Sequence, residues 1–316
     1  MVLRSNGDHP VVGDALVVGE ALVDVVDGHA LPGGSPANVA VALGRLGHPV
    51  TLATQLGQDA HALLVREHLR ASGVSVQAQP GARTSVARAV VDGTGAATYD
   101  FDVSWDPAFG ELSGSHVVHV GSFSAVTGPA VLDLLDRSTA TISYDINVRP
   151  ALLPPDAGAQ VEAIVSRSDV VKASDEDLEW LFPSRPVEET ARALLEFGPS
   201  VVYLTLGAAG ALVVTREGTA RIPGVSVEVA DTIGAGDTFA AGLLHGLAEE
   251  GCLGGSLTAD LETLVRVGRF ATGLAAQTAA RHGADPPWGV QYPMRQDVSQ
   301  RRQGKGQTWQ AATTTT

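Results

Sequence analysis

The chain has 316 residues, 44% of them hydrophobic and 5% aromatic, which is enough apolar material for one large core. Its formal net charge of −14 argues against nucleic acid or an anionic membrane surface as the main partner, although a glycine-rich loop and a helix end can still offer a nucleotide local positive potential. The single cysteine, Cys252, excludes an intrachain disulfide, fits a reducing cytoplasm and reads as a small, partly buried apolar residue.

Residues 1–14 are polar and lack an apolar signal core. Residues 15–18 read as a first buried strand, and Asp24 follows among apolar residues where a strand would be ending. Asp24 is either a solvated loop carboxylate or an acceptor for the hydroxyl of a polyol. Residues 33–47 read as a glycine pair and a helix: Ser35 suits the N-cap, Pro36 the first helical position, and Gly47 the C-terminal stop. Val39, Leu43 and Leu46 share one face, while Asn38 in the first turn is either a surface residue or an amide aimed at a ligand through the open helix end. A strand at 50–56 and a helix at 58–71 come next.

Residues 76–102 behave differently. Alternating runs at 84–91 and 97–103 flank Asp92, Gly93, Thr94 and Gly95, which reads as a β-hairpin inserted in a βα chain, a candidate lid with Tyr99, Phe101 and Trp105 on its aromatic side. Strands at 117–120, 142–145 and 170–171 then alternate with helices at 129–138, 156–166 and 176–181, followed by a helix at 188–197. Residues 201–215 form the longest uncharged apolar run, too short to span a bilayer, and read as strands 201–206 and 211–214 about Gly207 and Gly210. His116 and His119 lie three apart on a strand, so they point to opposite faces and read as structural histidines.

Residues 225–229 alternate and are valine-rich, which suits a strand, and a buried helix runs from Thr238. Between them lie Gly234, Ala235, Gly236 and Asp237. Two glycines allow a tight turn and close backbone approach, and the helix start offers free N–H groups to a phosphate. Asp237 is the anomaly: it either complements the helix dipole or binds a metal or takes a proton. Phe239 replaces the third glycine of a dinucleotide fingerprint, and no stretch matches a P-loop. A last helix spans 258–280, Gly283 to Pro287 breaks it, and the polar segment 294–316 reads as a disordered tail.

Strands separated by helices argue for a parallel sheet with helices on both faces, where ligands bind beyond the carboxyl ends of the strands. Asp24, residues 145–149, residues 205–207 and residues 231–237 would converge there.

Residues 33–47 and 231–242, in this order around a βα chain with an early β insertion, resemble the two signature motifs of the ribokinase-like (PfkB) carbohydrate kinase family. The resemblance covers residues 12–288, and 144–150, 171–177 and 283–287 look most like bacterial fructokinases. It implies an α/β ribokinase-like fold: a mostly parallel central sheet flanked by helices, with a small β-sheet lid, in one kinase domain over 1–293 with the lid at 20–35 and 82–105. It implies that Asp237 is the catalytic base and that Gly234, Ala235, Gly236 and the Asp237 amide form an anion hole for the γ-phosphate. Asp24, Gly33, Gly34 and Asn38 match sugar-contacting positions, with Asn147 and Arg149 beside them, and Thr205, Gly207 and Gly210 match the nucleotide loop. Asp231, the Ile233 carbonyl and Gly283, with carbonyls near Thr278, match a monovalent-cation site found in many members, which K+ would fill. Mg2+ would accompany ATP, and the lid often forms a dimer contact in relatives.

One departure stands out. Many relatives carry Asn-x-x-Glu, linked to Mg2+ and phosphate handling, where this chain has Ser174, Asp175, Glu176 and Asp177. The implied function is ATP-dependent phosphorylation of a small sugar, fructose first, in the cytoplasm. The alternative is 2-keto-3-deoxygluconate kinase, whose relatives commonly place an arginine just after a lid tyrosine; here Asp100, Phe101 and Asp102 follow Tyr99, and Arg88 or Arg149 would have to compensate. A reading from another class is an inactive sugar-binding or regulatory relative, which usually loses the base or the anion-hole glycines; both are present here.

Overall fold

The computed structural model describes residues 14–293 apart from 27, 92–96, 111–114 and 155–156. The N-terminal segment 1–13, the expected hairpin turn at Asp92 to Gly95 and the tail at 294–316 lie outside the described residues. The strands are β1 Ala15–Val18, β2 Leu22–Val26, β3 His29–Gly33, β4 Val50–Leu56, β5 Val74–Pro80, β6 Ser85–Val91, β7 Ala97–Asp102, β8 Val117–Gly121, β9 Thr141–Asp145, β10 Val170–Ser174, β11 Val201–Thr205, β12 Gly210–Val214 and β13 Thr219–Pro223. The helices are α1 Ser35–Arg45, α2 Ala60–Ala71, α3 Ser122–Val126, α4 Ala130–Arg137, α5 Ala157–Val165, α6 Asp175–Leu181, α7 Val187–Leu194, α8 Ala235–Glu249 and α9 Leu261–Ala279.

A nine-stranded sheet runs in the order β13-β12-β11-β10-β9-β8-β1-β4-β5. It is parallel from β11 through to β5, and β12 and β13 close it as an antiparallel edge. Its central strands are near-continuous apolar runs because both faces are covered, as expected of parallel strands. Leu16, Val18, Val118 and Val120 pack against α3 to α7, while Ala15, Val17 and Val117 pack against α1, α2 and α8. Phe239, Leu243 and Leu247 of α8 join Val267 and Ala271 of α9 in a third cluster under β11 to β13. A separate four-stranded sheet runs β3-β2-β6-β7, with β2 parallel to β6 and antiparallel to β3.

Five expectations are corrected. Residues 225–229 form no strand; the strand is β13, six residues earlier in its start, paired antiparallel to β12. Pro223 and Gly224 end it, and Val225 and Val229 are 50% and 60% exposed, so their alternation serves no core face. The last large helix but one begins at Ala235 rather than Thr238, which puts Gly236 and Asp237 in its first turn. The N-cap of α1 is Gly34 at φ 102, not Ser35, whose hydroxyl is engaged elsewhere. Asp24 lies in the middle of β2 in the small sheet, not at the end of a strand of the large one. Residues 74–80 pair with β4 as the edge of the large sheet, so the insertion starts after them rather than at 76.

Candidate active site

The first turn of α8 is the focus. Gly234 caps it in the left-handed region at φ 74, and a β-carbon there would lie 2.6 Å from the Ala284 β-carbon. Only glycine fits both constraints. The Ala235 amide donates to Thr232 O at 3.2 Å, and Thr238 N closes onto Gly234 O at 2.8 Å. The amides of Gly236 and Asp237 have no partner among the described residues. The turn itself uses the amide of Ala235 and leaves those of Gly236 and Asp237 open, the kind of donors a helix start offers an anion.

Asp237 is 8% exposed. Ser35 Oγ donates to its Oδ1 at 2.7 Å, and Asn38 Nδ2 donates to its Oδ2 at 2.8 Å. Both donors come from one side of the first turn of α1, where residues three apart are neighbours. They fix the carboxylate and leave it lone pairs for a substrate hydroxyl, since an ionised carboxylate has about four acceptor sites. The half-buried Asn38 amide is thus turned toward the Asp237 carboxylate rather than into solvent. Ser35 is a site residue that the sequence reading assigned to capping; the Ser35/Asn38 spacing was the available signal.

Next to this carboxylate lies a polar group of the small sheet and the carboxyl ends of β1, β8 and β9. The Asp24 carboxylate lies so close over Gly33 that a side chain there would collide with it. Burial pushes the Asp24 carboxyl up to about 6, with the Arg149 charge opposing and the Asp237 charge adding to the rise. Arg149 donates to Asn147 Oδ1 at 2.7 Å and Val148 O at 2.9 Å. Asn147 holds φ 40, and its buried Nδ2 has no partner among the described residues. Glu20, 2% exposed, was not singled out from the sequence; burial raises it to about 7 against hydrogen bonds from Ser124 and Ser122.

On the other side, β11 ends at Thr205, whose hydroxyl donates to Ala173 O at 3.3 Å. Leu206 N donates to Gly210 O at 2.8 Å, closing a small loop with Gly207 at φ 52, and Gly210 packs on Gly224. Asp231 accepts from Ile233 N at 3.0 Å and from Gly283 N at 2.9 Å, so the three expected cation-site residues are brought together. Between the two sides, Lys172 Nζ donates to Asp145 Oδ2 at 2.9 Å with both side chains buried. Asp177 forms a capping box with Ser174 and accepts from Val148 N at 2.7 Å, so backbone amides engage both of its oxygens.

His119 is buried against Ser143 Oγ at 3.1 Å, as a structural histidine. No group of three or more metal-ligating side chains occurs among the described residues, and no described helix is long and apolar enough to cross a membrane. The arrangement is a fixed carboxylate beside open helix-start amides, with a second carboxylate and hydroxyl-binding groups on one flank and a glycine loop on the other. Such a set can take a proton from a hydroxyl while the amides hold the group that hydroxyl attacks.

The family model of the pfkB family carbohydrate kinase matches residues 11–289. A fructokinase of Rhizobium leguminosarum bv. trifolii is 33% identical over 300 residues, covering 86% of each chain. The solved fructokinase of Xylella fastidiosa with bound ATP aligns at a TM-score of 0.76 with 27% identity, over 86% of this chain and 93% of that one. A Vibrio cholerae O395 fructokinase double mutant, solved with fructose, ADP and a potassium ion, aligns at 0.73 with 27% identity, over 87% and 94%. The large parallel sheet with its separate small sheet is the ribokinase-like fold of these proteins.

Proposed function

The chain belongs to the pfkB family of carbohydrate kinases, a phosphotransferase acting on a sugar hydroxyl, and from that premise we propose that it transfers the γ-phosphate of ATP to fructose. The observation that carries this reading is Asp237, fixed by Ser35 and Asn38 at the start of α8, beside unpartnered amides and in the field of Asp24. Asp24, with Gly33, Gly34, Asn147 and Arg149 around it, holds the sugar hydroxyls. Asp237 accepts the proton of the attacking hydroxyl. The amides of Gly236 and Asp237, in the turn that Gly234 sets, hold the transferring group, where placed donors act on developing charge. Thr205, Gly207 and Gly210 line the nucleotide side. The small sheet closes over the sugar and excludes water; its exposed Leu31, on the edge strand β3, also suits a dimer contact.

Mg2+ fits the site as an ion that arrives with the triphosphate. Asp177 is engaged by backbone amides and Asp145 by Lys172, so the protein supplies few ligands, and Mg2+ characteristically keeps phosphate and water ligands. When bound, it neutralises charge on the phosphates. Asp231, the Ile233 carbonyl and Gly283 form the candidate K+ site. The single cysteine and ATP as co-substrate support a cytoplasmic location.

Fructose is favoured over 2-keto-3-deoxygluconate by the carboxylates of the lid, which already pair with two of its arginines. Arg83 pairs with Asp102, Arg88 lies 4.0 Å from Asp100, and Arg149 is engaged by Asn147 and Val148. Of these three, Arg149 is held by neutral oxygens and keeps its charge unpaired among the described residues, and an acidic substrate would meet the carboxylates of Asp24, Asp100 and Asp102 besides it. The test is a coupled assay with Mg-ATP and fructose, ketodeoxygluconate, ribose or adenosine, with and without K+. Highest kcat/KM on fructose is expected. Preference for ketodeoxygluconate would overturn the substrate, and turnover on none would favour a binding protein.

A further inference from the structure

Lys172 is a charge within the buried strand β10, between Val171 and Ala173, both 0% exposed. Its side chain is 7% exposed. An ammonium has three donors, and among the described residues Nζ makes one hydrogen bond, to Asp145 Oδ2. The other oxygen of that carboxylate, Oδ1, is buried without a partner. An ion pair kept for packing alone is expected to satisfy its remaining donors and acceptors, because a buried pair gains little over apolar side chains of the same volume. Here both members are under-satisfied.

The position of Nζ explains the spare donors. It lies 3.2 Å from where a β-carbon on Gly236 would sit. Gly236 carries one of the two unpartnered amides of the first turn of α8, so the ammonium and the amides face one small volume. Burial works against the lysine charge, but the carboxylates of Asp145, Asp177 and Asp237 outweigh it and keep the group protonated. Strand register supports the aim, since Lys172 is the direct partner of Asp145 across the β9–β10 pair.

We propose that Lys172 is a phosphate-binding residue of the kinase reaction: its free N–H donors complete the anion site made by the amides of Gly236 and Asp237, and Asp145 positions it. This rests on the ATP-dependent reading above. The lysine keeps its proton throughout; it neutralises charge on the non-bridging oxygens of the transferring group, while the hydroxyl proton goes to Asp237. It supplies from the sheet the positive charge that the Ser174 to Asp177 stretch does not.

Removing the lysine alone would strand a buried carboxylate, so the test uses D145N/K172M, which removes both charges together. Equilibrium titrations with Mg-ATP, Mg-ADP and AMP are read alongside thermal unfolding. The folded variant is expected to lose about 10–100-fold in affinity for Mg-ATP and less than about threefold for AMP, the worth of one hydrogen bond between charged groups. A folded variant that keeps the wild-type preference for Mg-ATP over AMP overturns the proposal. The wild-type protein co-crystallised with ADP, Mg2+ and aluminium fluoride decides it independently of whether the variant folds. A fluoride or phosphate oxygen within about 3.2 Å of Nζ supports it, and absence of such a contact overturns it. If ATP binds in this way but fructose is not turned over, the sugar assignment fails while the lysine assignment stands.

Discussion

Two side chains from the first turn of α1 donate to one carboxylate about two hundred positions further along the chain, Asp237. That pairing holds the carboxylate still, and in the proposed function Asp237 is the base and Asp24 completes the sugar side. Burial raises Asp24 to about 6, so it is ionised at neutral pH and takes up a proton as pH falls through that value. Once protonated it can no longer accept from a sugar hydroxyl through both oxygens. The kcat/KM for sugar is therefore expected to fall about tenfold per pH unit below about 6. Asp24→Asn should raise the sugar KM about 10–100-fold and abolish that break. A wild-type profile flat to pH 5, or one whose break survives in Asp24→Asn, contradicts the assignment. At this scale the sequence was legible in placement where residue type and motif agreed, as for Gly234 and Asp237 at the start of a helix. It failed at Ser35, because a serine before Pro36 looks like an N-cap until the Gly34 backbone is seen to fill that position. It also passed over Lys172 and Glu20, although a lone charge inside an apolar run is a readable signal.

Among the elements, α8 does most to set the chemistry, and its start depends on Gly234. An alanine there would hold an unfavourable left-handed backbone and press on Ala284. Gly234→Ala should destabilise the fold by about 1–3 kcal/mol and cut turnover as the free amides shift. Gly128 is the control: its φ is 80, yet nothing lies within 4 Å of a β-carbon there. Gly128→Ala should carry the backbone strain alone and leave turnover unchanged; equal turnover in the two variants would contradict a role for the Gly234 turn. Helices and buried parallel strands were readable because apolar spacing and burial coincide in them. The stretch at 225–229 was misread because its valines alternate without a sheet partner, while β13, marked by fewer apolar residues, has one in β12.

For the whole molecule, the doubly covered parallel sheet follows from the βα alternation, and its carboxyl edge gathers Asn147, Arg149, Thr205 and the α8 turn. The residue pattern alone showed the small sheet only as a hairpin; its 20–35 part came from the family resemblance. Its parallel pairing of β2 with β6 joins segments far apart in sequence, which no local pattern encodes. That pairing brings Asp24 to the large sheet's edge, and under the proposed function sugar and nucleotide groups then meet at Asp237. The central claim is that Asp237 removes the proton of the attacking hydroxyl. The direct measurement is single-turnover phosphoryl transfer by Asp237→Asn, with fructose and Mg-ATP affinities determined in parallel. The account predicts transfer slower by about 10²–10⁴-fold, the usual contribution of a general base, with both ligands still bound. Transfer at close to the wild-type rate would contradict it.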